Sequence, residues 1–82
     1  VKHVLYFTAD WCGPCKRVRP IVEELISEGE SIQIIDSDSE IELAKSFSIQ
    51  SVPTFVLLSE NKEIKRIIGA QTRDQLYRFI HE

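Results

Sequence analysis

Two cysteines, Cys12 and Cys15, stand three residues apart and are the only ones in the chain. Thiol–disulfide exchange needs a thiolate, a sulfur that a partner can reach, and a second thiol close enough to expel what the first has captured. The string Trp11-Cys12-Gly13-Pro14-Cys15-Lys16, read as the junction between a strand and a helix, offers all three. Cys12 falls at the helix N-terminus, where unpaired N–H groups and the helix dipole favour a negative sulfur. Cys15 lies one turn further in on the same side, more buried, and can close a disulfide without large backbone movement. Gly13 and Pro14 fix the short loop, and Lys16 adds a positive charge just beyond it. A structural zinc site needs four ligands, and this pair supplies two. The only histidines, His3 and His81, are far apart in sequence, so no metal site is expected.

The elements that would hold this junction can be read along the chain. His3–Thr8 is a nearly continuous apolar run of the kind buried strands show, and Ala9–Gly13 breaks it. Val18, Ile21, Val22, Leu25 and Ile26 then mark one face of a helix that Pro14 opens, Pro20 bends and Gly29 stops. Ser31–Asp36 reads as a second strand, and Ser39 with Glu42 as a capping box opening a short helix through about Phe47. Thr54–Leu58 is a third strand behind Pro53, Ser59–Lys62 a turn, and Glu63–Ile68 a fourth strand ending at Gly69. Thr72 with Gln75 forms another capping box, before a final helix that buries Leu76, Phe79 and Ile80. The order β-α-β-α-β-β-α predicts an α/β fold, one mixed four-stranded sheet with helices on both faces. Strands joined through a helix are expected to run parallel, and the pair joined at 59–62 antiparallel.

Composition sets the outer bounds. With 82 residues, 43% of them hydrophobic, there is room for a single domain spanning 1–82. Ten Lys and Arg against thirteen Asp and Glu leave a net charge of −3, which disfavours a nucleic-acid partner. No apolar run approaches the roughly 20 residues that a membrane helix needs. Val1–Ala9 lacks the basic lead and small-residue cleavage site of a signal peptide, so a reducing cytoplasm is the expected setting. The acidic stretch Glu23–Glu42 and the cations Lys16, Arg17 and Arg19 read as solvated surface.

Trp11-Cys12-Gly13-Pro14-Cys15-Lys16, Pro20 within the following helix, Val52-Pro53-Thr54 and Gly69-Ala70 together resemble the thioredoxin family over nearly the whole chain. The resemblance implies a minimal thioredoxin fold and a protein-disulfide reductase with no bound cofactor beyond a redox-active Cys12–Cys15 disulfide. Cys12 would be the attacking thiolate and Cys15 the resolving thiol. Val52-Pro53 would precede a cis-proline facing the cysteines, with the Val52 backbone pairing to an extended client segment. Trp11, Gly13, Pro14, Val52, Pro53, Gly69 and Ala70 would form a flat, weakly polar docking surface. The implied partners are disulfide-containing proteins and a thioredoxin reductase or glutathione system, met by a monomer. Two alternatives are a glutaredoxin-like glutathione-linked exchanger and a redox-incidental binding subunit of a larger enzyme. Against the first, the middle pair is Gly-Pro rather than Pro-Tyr, and Gly69-Ala70 stands where a Gly-Gly glutathione motif would.

Three departures from the family pattern carry expectations. Tyr6 occupies the position of a buried Asp thought to help deprotonate the resolving cysteine, with Ile34 in place of its Lys partner. A phenol is a poor base at neutral pH, so resolution of the mixed disulfide is expected to be slow. Ser48 and Ser51 replace frequent glycines and would be strained if either needs positive φ. Finally, the chain opens at what would be the family's second strand, which predicts that Ser31–Asp36 is an exposed sheet edge.

Overall fold

A computed structural model describes all residues, Val1–Glu82. Its elements are β1 (Lys2–Thr8), α1 (Gly13–Ser27), β2 (Ile32–Asp36), α2 (Ile41–Ser46), β3 (Thr54–Ser59), β4 (Lys62–Ile68) and α3 (Arg73–His81). They form one mixed sheet in the order β2-β1-β3-β4. β1 is central, and its Val4–Thr8 segment is buried throughout because helices cover both faces of the sheet. On one face Val4, Tyr6, Phe55 and Leu57 pack under α1 (Val18, Val22, Leu25) and α3 (Leu76, Phe79, Ile80). On the other, Leu5, Phe7, Ile35 and Val56 pack under Ala44 of α2, with Leu43, Phe47 and Ile49 alongside. Ile26 lies on the flank of the α1 stripe and stays over a third exposed.

The helix ends show how local sequence sets these boundaries. Gly29, at φ 103°, lets the chain reverse after α1, with Gly29 N–H donating to the Ile26 carbonyl and Glu30 N–H to the Leu25 carbonyl. At α3 the expected capping box forms: Gln75 N–H donates to the Thr72 hydroxyl at 3.1 Å, and Thr72 N–H to the Gln75 side chain at 2.9 Å. The box expected at Ser39 and Glu42 does not form, and α2 starts from Glu40 without a side-chain cap. Asp36 takes one of the two donors of that box, the Ser39 N–H (3.3 Å), and the Asp38 N–H (2.8 Å) beside it, in a turn ahead of the helix. Glu60 and Asn61, both at positive φ, make the two-residue turn between β3 and β4.

One expectation about direction is corrected. β1 and β2 are parallel, but β3 runs antiparallel to β1, although α2 lies between β2 and β3. The six residues of α2 rise only about 9 Å, less than half the length of β1 at roughly 3.3 Å per residue. α2 therefore covers part of one face without carrying the chain back along it, and β3 starts at the end where β1 and β2 finish. This delivers Pro53 to the same end of the sheet as Cys12.

The departures resolve individually. Ser48 adopts φ 54° and Ser51 does not have positive φ, so only Ser48 carries the left-handed strain. β2 is an edge strand, with Gln33 exposed upon it. No helix is long and apolar enough to cross a membrane.

Candidate active site

The end of β1 leads into α1 through Ala9, Asp10, Trp11 and Cys12. Cys12 N–H donates to the Ala9 carbonyl at 3.2 Å, closing a turn that holds Cys12 in an extended conformation (φ −85°, ψ 111°) as the N-cap of α1. Its sulfur accepts the Cys15 N–H at 3.1 Å, the role an Asp or Ser oxygen plays at other helix starts. Pro14 lies in the first turn, where no N–H is needed, and no acidic residue in that turn competes for the positive end of the helix. Cys12 and Cys15 form a disulfide with their Cα atoms 5.2 Å apart.

Expected accessibility is corrected here. Cys12 is 3% exposed and Cys15 2%, so in the oxidised protein the two are equally buried. Ala9 and Val52 pack against the bridge and cover it from the side of the sheet. Gly13 and Pro14, which frame it, are exposed, and Trp11 is 71% exposed and lies outside the core. Its indole N–H donates to the Asp38 carboxylate at 2.9 Å. By sequence alone Asp38 is one more acid of the solvated stretch Glu23–Glu42. The available signal was its place just beyond β2, which runs parallel to β1 and so ends beside it.

Facing the bridge, the Val52–Pro53 peptide is cis, and the Val52 carbonyl oxygen lies 3.7 Å from the Cys12 sulfur. The neighbouring carbonyls are engaged: Gly69 N–H donates to Pro53 (2.8 Å), and the Thr54 hydroxyl donates to Ser51 (2.8 Å). Val52 itself has no backbone hydrogen-bond partner and is half-buried. Gly69 reaches Pro53 at φ 100°, a conformation a side chain would strain, and Ala70 beside it is exposed. Trp11, Gly13, Pro14, Val52 and Ala70 thus share one end of the sheet, with Pro53 buried beneath them and Gly69 partly so. Lys16 is exposed and lines a cavity of about 240 Å³ together with Thr8, Asp10, Cys15 and Arg19.

Under the bridge lies Tyr6, fully buried and stacked on Phe55 with ring centroids 4.8 Å apart. Its hydroxyl is within 3.3 Å of both the Thr8 hydroxyl and the Cys15 carbonyl, to which it donates. Burial pushes the Tyr6 phenol above its ordinary value, and the Thr8 hydrogen bond opposes this only in part. The residue is therefore a neutral donor at this position and not a base. His3 lies on β1 toward its other end, bonded to Ser31 and Gln33, and His81 pairs with Glu30. Neither joins the cysteines.

A family model described as Thioredoxin matches residues 1–82. Thioredoxin of Chlamydia trachomatis is 38% identical over 76 residues, which is 90% of this chain and 74% of that protein. A protein of Mycobacterium leprae named bifunctional thioredoxin reductase/thioredoxin is 40% identical over 75 residues, 88% of this chain and 16% of its own length. Among solved structures, a mutant thioredoxin from Halobacterium salinarum superposes with a TM-score of 0.91 at 33% identity, covering 98% of this chain and 72% of the other.

Proposed function

Because the chain belongs to the thioredoxin family, whose members are thiol–disulfide oxidoreductases, we propose that it works in the reducing direction on protein disulfides. Cys12 is the nucleophile. Its thiolate attacks one sulfur of a client disulfide, forming a Cys12–client bond while the other client sulfur leaves as a thiolate and takes a proton from solvent. Cys15 then gives its proton to solvent and attacks the Cys12 sulfur. The second client thiolate departs, two electrons have passed to the client, and the Cys12–Cys15 bridge remains.

The observation that carries this assignment of roles is the Cys15 N–H donated to the Cys12 sulfur at 3.1 Å. A hydrogen bond to a charged acceptor contributes on the order of 1.5–3 kcal/mol, and in this geometry that stabilisation goes to a Cys12 thiolate at the positive end of α1. The Val52 N–H and C=O, which pair with no other backbone group, support a docking role, because an extended client strand can pair there with its cysteine against Cys12. Trp11, Gly13, Pro14, Pro53, Gly69 and Ala70 surround that point. The name of the Mycobacterium leprae relative, which joins a reductase to a thioredoxin, supports a thioredoxin reductase as electron donor; the glutathione-linked alternative is not favoured. The protein acts as a monomer in a reducing compartment such as the cytoplasm, with the docking face free, and needs no bound cofactor.

Insulin disulfide reduction, driven separately by thioredoxin reductase with NADPH and by glutathione, tests the reading. Turnover is expected with the reductase, none with Cys12→Ser, and a trapped mixed disulfide with Cys15→Ser. If Cys15→Ser captures nothing while Cys12→Ser does, the assigned roles are reversed.

A further inference from the structure

Beside the cysteine face lies a groove of about 240 Å³ between α1 and the segment after β4, lined by Arg17, Val18, Ile21, Ala70, Gln71 and Thr72. Buried Val18 and half-buried Ile21 make its floor apolar, and Ala70 joins it to the docking surface. Arg17 is the one charged residue on its walls. The helix gives this guanidinium no partner, because the positions three and four residues away are Gly13, Pro14, Pro20 and Ile21. None of the ion pairs in the fold includes it. The neighbouring Arg73, by contrast, is held by Glu24 and Glu28.

The opposite side of the cysteine face carries the opposite sign. There the rim of Trp11 is closed by the Asp38 carboxylate, which accepts the indole N–H but pairs with no cation. Asp38 follows β2 and Ala70 follows β4, the two edge strands, so the two charges flank Cys12 from opposite edges of the sheet. A client lying across this face meets a cation on the Ala70 side and an anion on the Trp11 side, although the chain as a whole is acidic.

We infer that Arg17 is a specificity-determining residue, favouring client disulfides flanked by an acidic side chain. The inference rests on the docking role proposed above for Val52 and Ala70. Arg17 lies five residues along the helix from Cys12, about 7–8 Å of helical rise. α1 starts at the cysteine end and runs back over the sheet, so this rise is depth beneath the face, which the long Arg17 side chain can span. An extended client advances roughly 3.3 Å per residue, and an acid about two or three residues from its cysteine clears the active-site loop toward the Ala70 side. An exposed apolar-floored groove gives such a pair modest strength, enough for about a two- to fivefold preference at low salt.

The test uses two disulfide-linked peptides that differ only in Glu or Lys three residues from the reactive cysteine, mixed with pre-reduced protein in single-turnover experiments at low salt. The readout is the ratio of second-order rate constants, Glu peptide over Lys peptide. In the wild type this ratio is expected to be about two to five, to fall toward one in Arg17→Gln and below one in Arg17→Glu, and to survive in Arg17→Lys. It should also collapse toward one in 0.5 M salt. A wild-type ratio of one, or a ratio that Arg17→Glu leaves unchanged, overturns the inference. Failure of the reductase reading looks different, since neither peptide would then be reduced by the wild type.

Discussion

Replacing Tyr6 with Phe removes one hydroxyl from beneath the active site while leaving the ring and its stack on Phe55 in place. The lost group is a donor within 3.3 Å of two acceptors, the Thr8 hydroxyl and the Cys15 carbonyl, and can serve only one at a time. Net loss of one such buried bond is about 0.5–1.5 kcal/mol, which for a domain of this size lowers the melting temperature by about 4–8 °C per kcal/mol. The pH dependence follows from burial pushing the Tyr6 phenol up. Below the ordinary phenol value, near 10, folded and unfolded chains both hold the proton and wild type keeps its advantage over Tyr6→Phe. Above it, the unfolded chain releases the proton first, so the advantage shrinks by up to about 1.4 kcal/mol per pH unit until the folded phenol also ionises. Urea unfolding of both oxidised proteins between pH 7 and 11 measures this difference. Across pH 6–9 the phenol stays protonated, so mixed-disulfide resolution in the two proteins should follow the same pH profile. Tyr6→Asp should instead add a titrating group beneath Cys15 and change that profile. A parallel loss of stability at all pH values, or an inflection below pH 9 that disappears in Tyr6→Phe, would refute the account of Tyr6 as a neutral donor. Unchanged turnover in Tyr6→Asp across pH 6–9 would remove the expectation of slow resolution.

Closing the short Cys12–Cys15 loop restricts the unfolded chain, and the entropy of so small a loop predicts an oxidised form more stable than the reduced one by about 2 kcal/mol; equal urea midpoints for the two forms would contradict it. Thr72→Ala removes the hydroxyl half of the α3 capping box and should cost about 1 kcal/mol in the same measurement. Ser48→Gly should stabilise by about 0.5–1 kcal/mol, because relief of left-handed strain at φ 54° exceeds the added freedom of the unfolded chain. A destabilised Ser48→Gly would mean that the serine makes a compensating contact.

The sequence determined whatever is local in origin. The apolar runs of β1 and β3, the Thr72–Gln75 cap and the Gly29 stop depend on neighbours within a few residues, and each lies where the pattern put it. The same holds for Cys12 at a helix start, since Pro14 and the break at Ala9–Gly13 are enough to mark that junction. Local rules failed where two segments compete for one donor, as when the Asp36 side chain took the Ser39 N–H that the Glu42 side chain would have held. Tertiary structure alone decided how far α2 travels, and therefore that β3 opposes β1 and brings Val52 within 3.7 Å of the Cys12 sulfur. It also decided the burial of both cysteines, the meeting of Asp38 with Trp11, and the groove that gathers Arg17 and Ala70. These contacts join residues between 27 and 53 positions apart, and their formation is set by strand order and direction, which no short stretch of side chains encodes.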